Sequence, residues 1–282
     1  MIAWEPAMDT EQRVARHYTH GALEGAILDV LAAQGKNIEA LTPSDLAGAD
    51  EFHLGWHPAT AELARELELA SDMHVLDVGS GLGGPARHFA EAYRCRVTGI
   101  DLTEEFVRVA QSLTRRCGLD DRVRFQQGSA LDMPFSDATF DAAAMIHVGM
   151  NIADKARLFR SVRRVLKPNA RFAAYDVMLT GTDALPFPMP WADSPETSFV
   201  ETPEAYRRLL SENGFVLESE HDRRDFSLAL WRQMREHAAL HGPPALGAHI
   251  LMGSAAPARL GNVMTALEGG LIAPIAIIAR AA

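Results

Sequence analysis

Four glycines fall within six residues, at Gly79, Gly81, Gly83 and Gly84. They follow the apolar run Val75, Leu76 and Val78 and precede Pro85. After the proline, Ala86, Phe89, Ala90 and Tyr93 recur at helical spacing, and proline suits the first position of a helix, so the segment reads as strand, turn and helix. A turn this rich in glycine lets a ligand lie against bare backbone. It also aims the first N–H groups of the helix at a negative group. Gly79, Gly81 and Gly84 satisfy G-x-G-x-x-G, the dinucleotide pattern, while Gly79, Gly81 and Gly83 satisfy a tighter G-x-G-x-G; the residues alone leave both open. A bare structural turn is the bland alternative, and the chain entropy that glycines sacrifice argues against it.

Other residues whose types could do chemistry recur at matching places downstream. Asp77 lies two positions before the first glycine, and Asp101 lies 20 residues after Gly81. A carboxylate at Asp101 can accept hydrogen bonds from both hydroxyls of a ribose. Ser129, Ala130 and Leu131 follow a third apolar run, His147 follows a fourth, and Asp176 lies near the end of a fifth. In open α/β sheets ligands bind outside the carboxyl ends of the strands, which is where these residues would collect. Each has a plain alternative: Asp101 could cap the next helix, and a lone histidine at a strand end is often structural. A glycine turn followed by an acid at the end of the next strand points to an adenosine-containing ligand more strongly than either feature alone.

These residues need a scaffold, and the patterning supplies one. Strands are expected at 74–78, 96–101, 122–128, 140–148 and 170–178, with helices between them. Thr103 can cap a helix with Glu104 and Glu105 in its first turn and Phe106, Val109, Ala110 and Leu113 as its buried stripe. A helix carrying Leu158, Phe159, Val162, Val165 and Leu166 should stop at Lys167-Pro168. This alternation implies a mostly parallel, doubly wound sheet with helices on both faces. Residues 1–72 read as a helical cap: Leu23, Ala26, Ile27 and Val30 share a face, Gly35 ends that helix, and Thr60 could cap another. The segment 50–60 between them, DEFHLGWHPAT, is either a linker or a lid. The core is expected over 73–282, with an irregular, proline-rich insertion at about 183–200. A helical insertion is expected at about 226–269, between late strands at 215–220 and 275–280.

Composition narrows the function. The chain has 282 residues and a net charge of −10, and an acidic surface argues against nucleic acid as a partner. The two cysteines, Cys95 and Cys117, have no metal-ligand or C-x-x-C spacing and read as reduced thiols of a cytoplasmic protein, and no metal is expected. The N-terminal stretch lacks the apolar core of a signal peptide. LIAPIAIIA near the C-terminus is too short to span a bilayer.

The motifs VLDVGSGLGG, GIDLT, GSALDMPF, FDAAAMIHVGMNI and RVLKPNARFAAYDV, in that order, resemble the core of the class I S-adenosylmethionine-dependent methyltransferases. The resemblance covers about 50–182 and is nearest to small-molecule enzymes of the sarcosine/dimethylglycine, phosphoethanolamine and tocopherol types. It implies a Rossmann-like, seven-stranded sheet ending in an antiparallel hairpin. It also implies S-adenosylmethionine as cofactor and S-adenosylhomocysteine as product. By the same resemblance, Gly79, Ser80, Gly81 and Gly83 would line the methionine part, and Asp77 would face its amino group. Asp101 would bind the ribose and Leu102 would pack on the adenine, with Ser129, Ala130 and Leu131 at the adenine edge. His53, Leu54, Gly55 and Trp56 would lie near the methionine end, and Tyr18 would cover the active site. Many members have Asp where this chain has Ser129, and Asn169 replaces the usual Gly after Lys-Pro.

The chemistry expected of such a site is in-line displacement of an activated methyl group onto a small-molecule acceptor. His147 is the candidate base or orienting group, its alternative being simple packing against the cofactor. Phe187, Trp191 and Phe199 are expected to wall the acceptor, an amine or aromatic metabolite methylated on N or O. A homodimer is the open expectation for assembly. Two rival readings remain at this level. One is an NAD(P)-dependent oxidoreductase, against which Asp77 stands; the other is a cofactor-binding partner protein without catalysis.

Overall fold

The computed structural model describes residues 9–19 and 21–282. Four helices come first: α1 (Thr10–His17), α2 (Leu23–Ala33), α3 (Pro43–Asp50) and α4 (Trp56–Glu66). The alternating part follows as β1 (His74–Val78), α5 (Gly84–Tyr93), β2 (Arg96–Asp101), α6 (Glu104–Arg116) and β3 (Val123–Gln127). It continues through β4 (Phe140–Ile146), α7 (Lys155–Val165), β5 (Leu166–Leu179), α8 (Pro203–Glu212) and β6 (Phe215–Asp222). Three further helices, α9 (Arg224–His241), α10 (His249–Met252) and α11 (Ala256–Glu268), precede β7 (Ile272–Ala281).

The strands form one seven-stranded sheet in the order β3-β2-β1-β4-β5-β7-β6. β7 runs antiparallel to both neighbours, and the remaining pairs are parallel. The alternating sequence therefore yields the doubly wound sheet, and the antiparallel C-terminal pair is present, although α9–α11 separate its two strands in sequence.

Both faces are covered, which is why the strands read as nearly continuous apolar runs. Side chains alternate across the sheet. Leu76, Val78, Ala143, Met145, Phe172 and Ala174 pack on one side with Leu158, Phe159, Val162 and Tyr206 of α7 and α8. Val75, Ala142, Ala144, Ala173 and Tyr175 pack on the other with Leu63, Ala64, Phe89 and Ala90 of α4 and α5. The first helices have a core of their own, in which Leu23, Ile27 and Leu31 meet Phe106 and Val109 of α6 and Leu246 and Leu251 from the late insertion. The late insertion also packs Val263, Met264 and Leu267 on Trp191 and Met189 of the proline-rich segment.

Several local expectations are altered by tertiary packing. Thr60 does not cap a helix; it is fully buried within α4, whose cap is Gly55 at φ 88°. α7 ends at Val165 and β5 begins at once with Leu166, ahead of Lys167-Pro168. Asn169 takes φ 66°, the left-handed conformation that the glycine of the family pattern adopts freely and that asparagine tolerates. β4 ends at Ile146, and His147 follows it at φ 54°.

Candidate functional site

The sheet reverses direction of winding between β1 and β4, since β2 and β3 extend to one side of β1 and β4 and β5 to the other. Ligands settle at such a switch point because the loops leaving adjacent strands diverge there. A cavity of about 270 Å³ occupies it. Gly79, Ser80 and Gly81 of the glycine turn line it, with Asp77, Asp101, Leu102, Ala130, Leu131 and His147. Gly79 and Gly81 have φ 71° and 51°, which a residue with Cβ adopts only under strain. A Cβ on Gly81 would meet nothing within 4 Å, so this backbone faces open space.

The two carboxylates differ sharply. Asp101 Oδ2 accepts from the Gly81 N–H at 2.8 Å and Oδ1 from the Thr103 N–H at 2.8 Å. Burial nevertheless holds its pKa above the usual value, against those hydrogen bonds. Each oxygen keeps a further lone pair for a ligand hydroxyl. Asp77 is 2 % exposed and its Oδ2 has no partner. Burial, with Asp101 and Glu51 nearby, pushes its pKa up to about 7. An unpaired buried carboxylate is costly, and a ligand ammonium group would satisfy it. Ser80 Oγ is likewise buried without a partner.

Beneath the turn, Arg87 on α5 is fully buried. Its Nη2 donates to Asp50 Oδ2 at 2.5 Å and to the Leu82 carbonyl at 2.6 Å, tying the end of α3 to the glycine turn. Burial raises the Asp50 pKa to about 6 despite the guanidinium.

A second cavity of about 590 Å³ adjoins the first. Four residues, Tyr18, Phe52, His53 and His147, line both. His53 stands edge-on to His147 with ring centroids 5.7 Å apart. Its Nε2 lies 2.8 Å from Glu51 Oε2 and 3.1 Å from Thr60 Oγ1, which itself donates to Glu51 at 2.6 Å. Burial works to raise the Glu51 pKa, but the bond to His53 and its charge prevail and lower it. His147 has no such orienting acid. Its Nε2 is buried without a partner, and burial, then His53, hold its pKa well below 6.5. Tyr18 donates to Asn151 Oδ1 at 3.4 Å, and desolvation pushes its phenol pKa up.

The second cavity is walled by Leu54, Trp56, Met150, Val177, Trp191, Trp231, Met264 and other apolar residues. Trp56 and Trp231 are stacked, with centroids 6.2 Å apart and planes 7° from parallel.

Some expected site residues lie elsewhere. Phe187 and Phe199 line neither cavity; Phe187 packs into the core of the late insertion, and the Phe199 backbone bonds Met150 and Lys155. Ser129 also lines neither, its hydroxyl being engaged by Glu11 and by the Leu131 N–H. Gly83 caps α5 against Phe125 rather than facing a cavity, since a Cβ there would lie 2.4 Å from the Phe125 ring. Asp176 is fully buried and accepts from the Tyr206 hydroxyl at 2.7 Å, away from both cavities. Conversely, Phe52, Asn151 and Trp231 line the cavities without having been expected. Trp231, Met234, Arg235 and Ala238 are spaced i, i+3, i+4 and i+7, a single helix face that the sequence displays but whose target only the fold reveals.

Among the described residues, no group of three or more His, Cys, Asp or Glu could hold a metal ion, and no helix is long and apolar enough to cross a membrane.

A protein-family model described as a methyltransferase domain matches residues 76–174. Sterol 24-C-methyltransferase ERG6B of Gibberella zeae is 36% identical over 118 residues, covering 42% of this chain and 31% of that protein. Ajmaline N-methyltransferase of Rauvolfia serpentina is 39% identical over 97 residues, covering 34% of this chain and 33% of that protein. The match thus spans about a third of the length of these curated relatives. The crystal structure of the [4+2]-cyclase SpnF superposes with a TM-score of 0.68 at 23% identity, covering 98% of each chain. Family match and relatives agree that residues 76–174 resemble a methyltransferase domain, and the seven-stranded sheet belongs to a fold shared with the solved structure.

Proposed function

We propose that this protein transfers a methyl group from S-adenosylmethionine to a small-molecule acceptor held in the larger cavity. The observation that carries the reading is the meeting of two cavities at Tyr18, Phe52, His53 and His147, one cavity lined by the glycine turn with Asp77 and Asp101 among its carboxylates, the other by apolar rings. The residues present fit the cofactor. The orphaned Asp77 oxygen suits its ammonium group, Asp101 suits its ribose hydroxyls, and the open face of Gly81 leaves room for its amino-acid part.

Bound S-adenosylmethionine supplies a methyl group already activated by the sulfonium. The chain's task is then to position and to exclude water, and positioning of this kind supplies on the order of 7–11 kcal/mol. Tyr18 and Phe52 close the junction against solvent. His147, neutral because burial disfavours its charged form, offers its unpaired Nε2 to orient an acceptor hydroxyl or amine. His53, held by Glu51 and Thr60, fixes the other side of the junction edge-on to His147.

The acceptor reading is N- or O-methylation of an aromatic or amine metabolite. Trp56, Trp191 and Trp231 support the aromatic half, whereas a cationic amine would find ring faces but no carboxylate in the cavity wall. The dinucleotide reading of the glycines yields to the family match, and a buried unpaired carboxylate at Asp77 is ill suited to a pyrophosphate. A cofactor-binding partner protein without catalysis is the other reading; SpnF, named a [4+2]-cyclase, shares the fold and shows that the fold carries names besides methyltransferase.

The test is calorimetric titration of the purified protein with S-adenosylmethionine, S-adenosylhomocysteine and NADPH, followed by mass detection of S-adenosylhomocysteine during acceptor screening. Binding of the first two and product formation support methyl transfer. Binding of NADPH alone would overturn it. Binding of S-adenosylmethionine, with no S-adenosylhomocysteine formed from any acceptor, would favour the partner-protein alternative.

A further inference from the structure

The charges around the larger cavity are one-sided. Its wall includes Arg235 and His249 besides His53 and His147, and no Asp or Glu. Acids near the wall do not face it: Glu51 is engaged by His53 and Thr60, Asp176 by Tyr206 and Asp193 by Arg259, and Glu236, exposed beside Arg235 on α9, does not line the cavity. Arg235 is exposed and makes no hydrogen bond or ion pair among the described residues. It lies one helical turn beyond Trp231 on the cavity face of α9, so its guanidinium and the Trp56–Trp231 stack belong to the same wall. It lines the larger cavity alone, away from the junction with the cofactor cavity.

We infer that the acceptor is an extended apolar molecule with a negatively charged head, carboxylate or phosphate, and that Arg235 receives the head while the apolar body runs along Trp231 and Trp56 to the junction. This deepens the methyl-transfer reading and rests on it for the word acceptor. The volume of about 590 Å³ is in the range of sites for drug-sized ligands. Apolar walls bind the body without direction, so a single unpaired cation decides which end lies where. An anion gains a charge-assisted bond from Arg235, whereas an ammonium head meets only positive or neutral groups. With the head at Arg235, the atom at the junction belongs to the apolar body, so the head itself is not methylated.

Four probes of equal chain length separate the possibilities: decanoate, decyl phosphate, decan-1-ol and decylammonium. Each is titrated into the full-length protein saturated with S-adenosylhomocysteine, with tryptophan fluorescence and heat as readouts. The anions should bind at least about tenfold more tightly than decylammonium, with decan-1-ol between, and the tighter anion names the head. In Arg235→Gln the advantage of the anions over decan-1-ol should fall to within about threefold, with decan-1-ol itself unchanged. Exposure of Arg235 keeps this variant from testing the fold instead. Equal or tighter binding of decylammonium, an anion advantage that survives Arg235→Gln, or no saturable binding of any probe would overturn the inference. The S-adenosylhomocysteine titration of the same sample is read separately. Its failure counts against the methyl-transfer reading, and the probe series without nucleoside then still reports on the cavity.

Discussion

Asp77 and Asp101 face one cavity in opposite states: both oxygens of Asp101 accept backbone N–H groups, while Asp77 keeps a buried oxygen with no partner at all. The first carboxylate is built into the turn. The second is held ready at a cost to the folded protein, which makes their substitutions diverge.

Asp77→Asn should stabilise the cofactor-free protein and weaken cofactor binding. An unsatisfied buried polar group costs about 1–3 kcal/mol, so removing its charge should raise Tm by a few °C. The same change should weaken S-adenosylmethionine by about tenfold or more. Thermal unfolding with and without ligand measures both, and a variant less stable than the parent without ligand would contradict the account.

The pH dependence follows from the same group. With its pKa raised to about 7, Asp77 adds stability at acid pH that is lost as pH rises through 7. Asp50 and Asp176, raised to about 6, act in the same direction. A bound ammonium group needs the ionised form, so cofactor affinity should fall as pH drops below 7, approaching tenfold per unit. Titrations in buffers of different ionisation heat should show proton release on binding at pH 6.5. Affinity that is flat from pH 8 to 5.5 would remove Asp77 from the ammonium site.

Gly81 and Gly83 should respond differently to alanine. The added methyl at Gly81 enters the cavity, so Gly81→Ala should fold, with about 1 kcal/mol of backbone strain, and lose most cofactor affinity. At Gly83 it collides with Phe125, so Gly83→Ala should lower Tm markedly whether or not ligand is present. Melting curves with saturating S-adenosylhomocysteine distinguish the two.

His147→Ala should reduce kcat by about tenfold or more while the cofactor Kd stays within threefold. Because burial keeps the ring neutral, the kcat profile of the parent should carry no ionisation of His147 near pH 6.5. Glu51→Gln should lower kcat without moving the pH profile, since it loosens the group that holds the His53 ring. An acid limb near pH 6.5 that vanishes in His147→Ala would contradict a neutral ring.

Much of this architecture is written in local pattern. The glycine turn, the strand ends and Asp101 could be located because period and turn chemistry act over a few residues. Asn169 likewise declares its left-handed turn. The errors come where distant packing decides. Thr60 has the residue type of a cap, but Glu51 and His53 draw it into a buried cluster inside α4. Phe187, Trp191 and Phe199 all have the composition of a pocket wall, yet of the three the irregular segment turns Trp191 alone into the cavity. Ser129 follows the right strand, and Glu11 takes its hydroxyl. Trp231 lies 175 residues along the chain from its stacking partner Trp56, and no local signal joins them.

The helices that wall the larger cavity leave the sheet after Asp222 and rejoin it at Ile272, and Asp222 is paired in register with Ile275 on the neighbouring strand. The excursion therefore begins and ends at almost one point in space. Loop-closure entropy grows only slowly with length, so a segment anchored this way can be lengthened, shortened or exchanged with little strain on the strands that frame it. The glycine turn and both carboxylates lie on other elements. In the methyl-transfer reading, the segments that would choose an acceptor are thus largely separable from those that would hold the methyl donor, and grafting this excursion with its Leu246 and Leu251 contacts kept is a route to new acceptors.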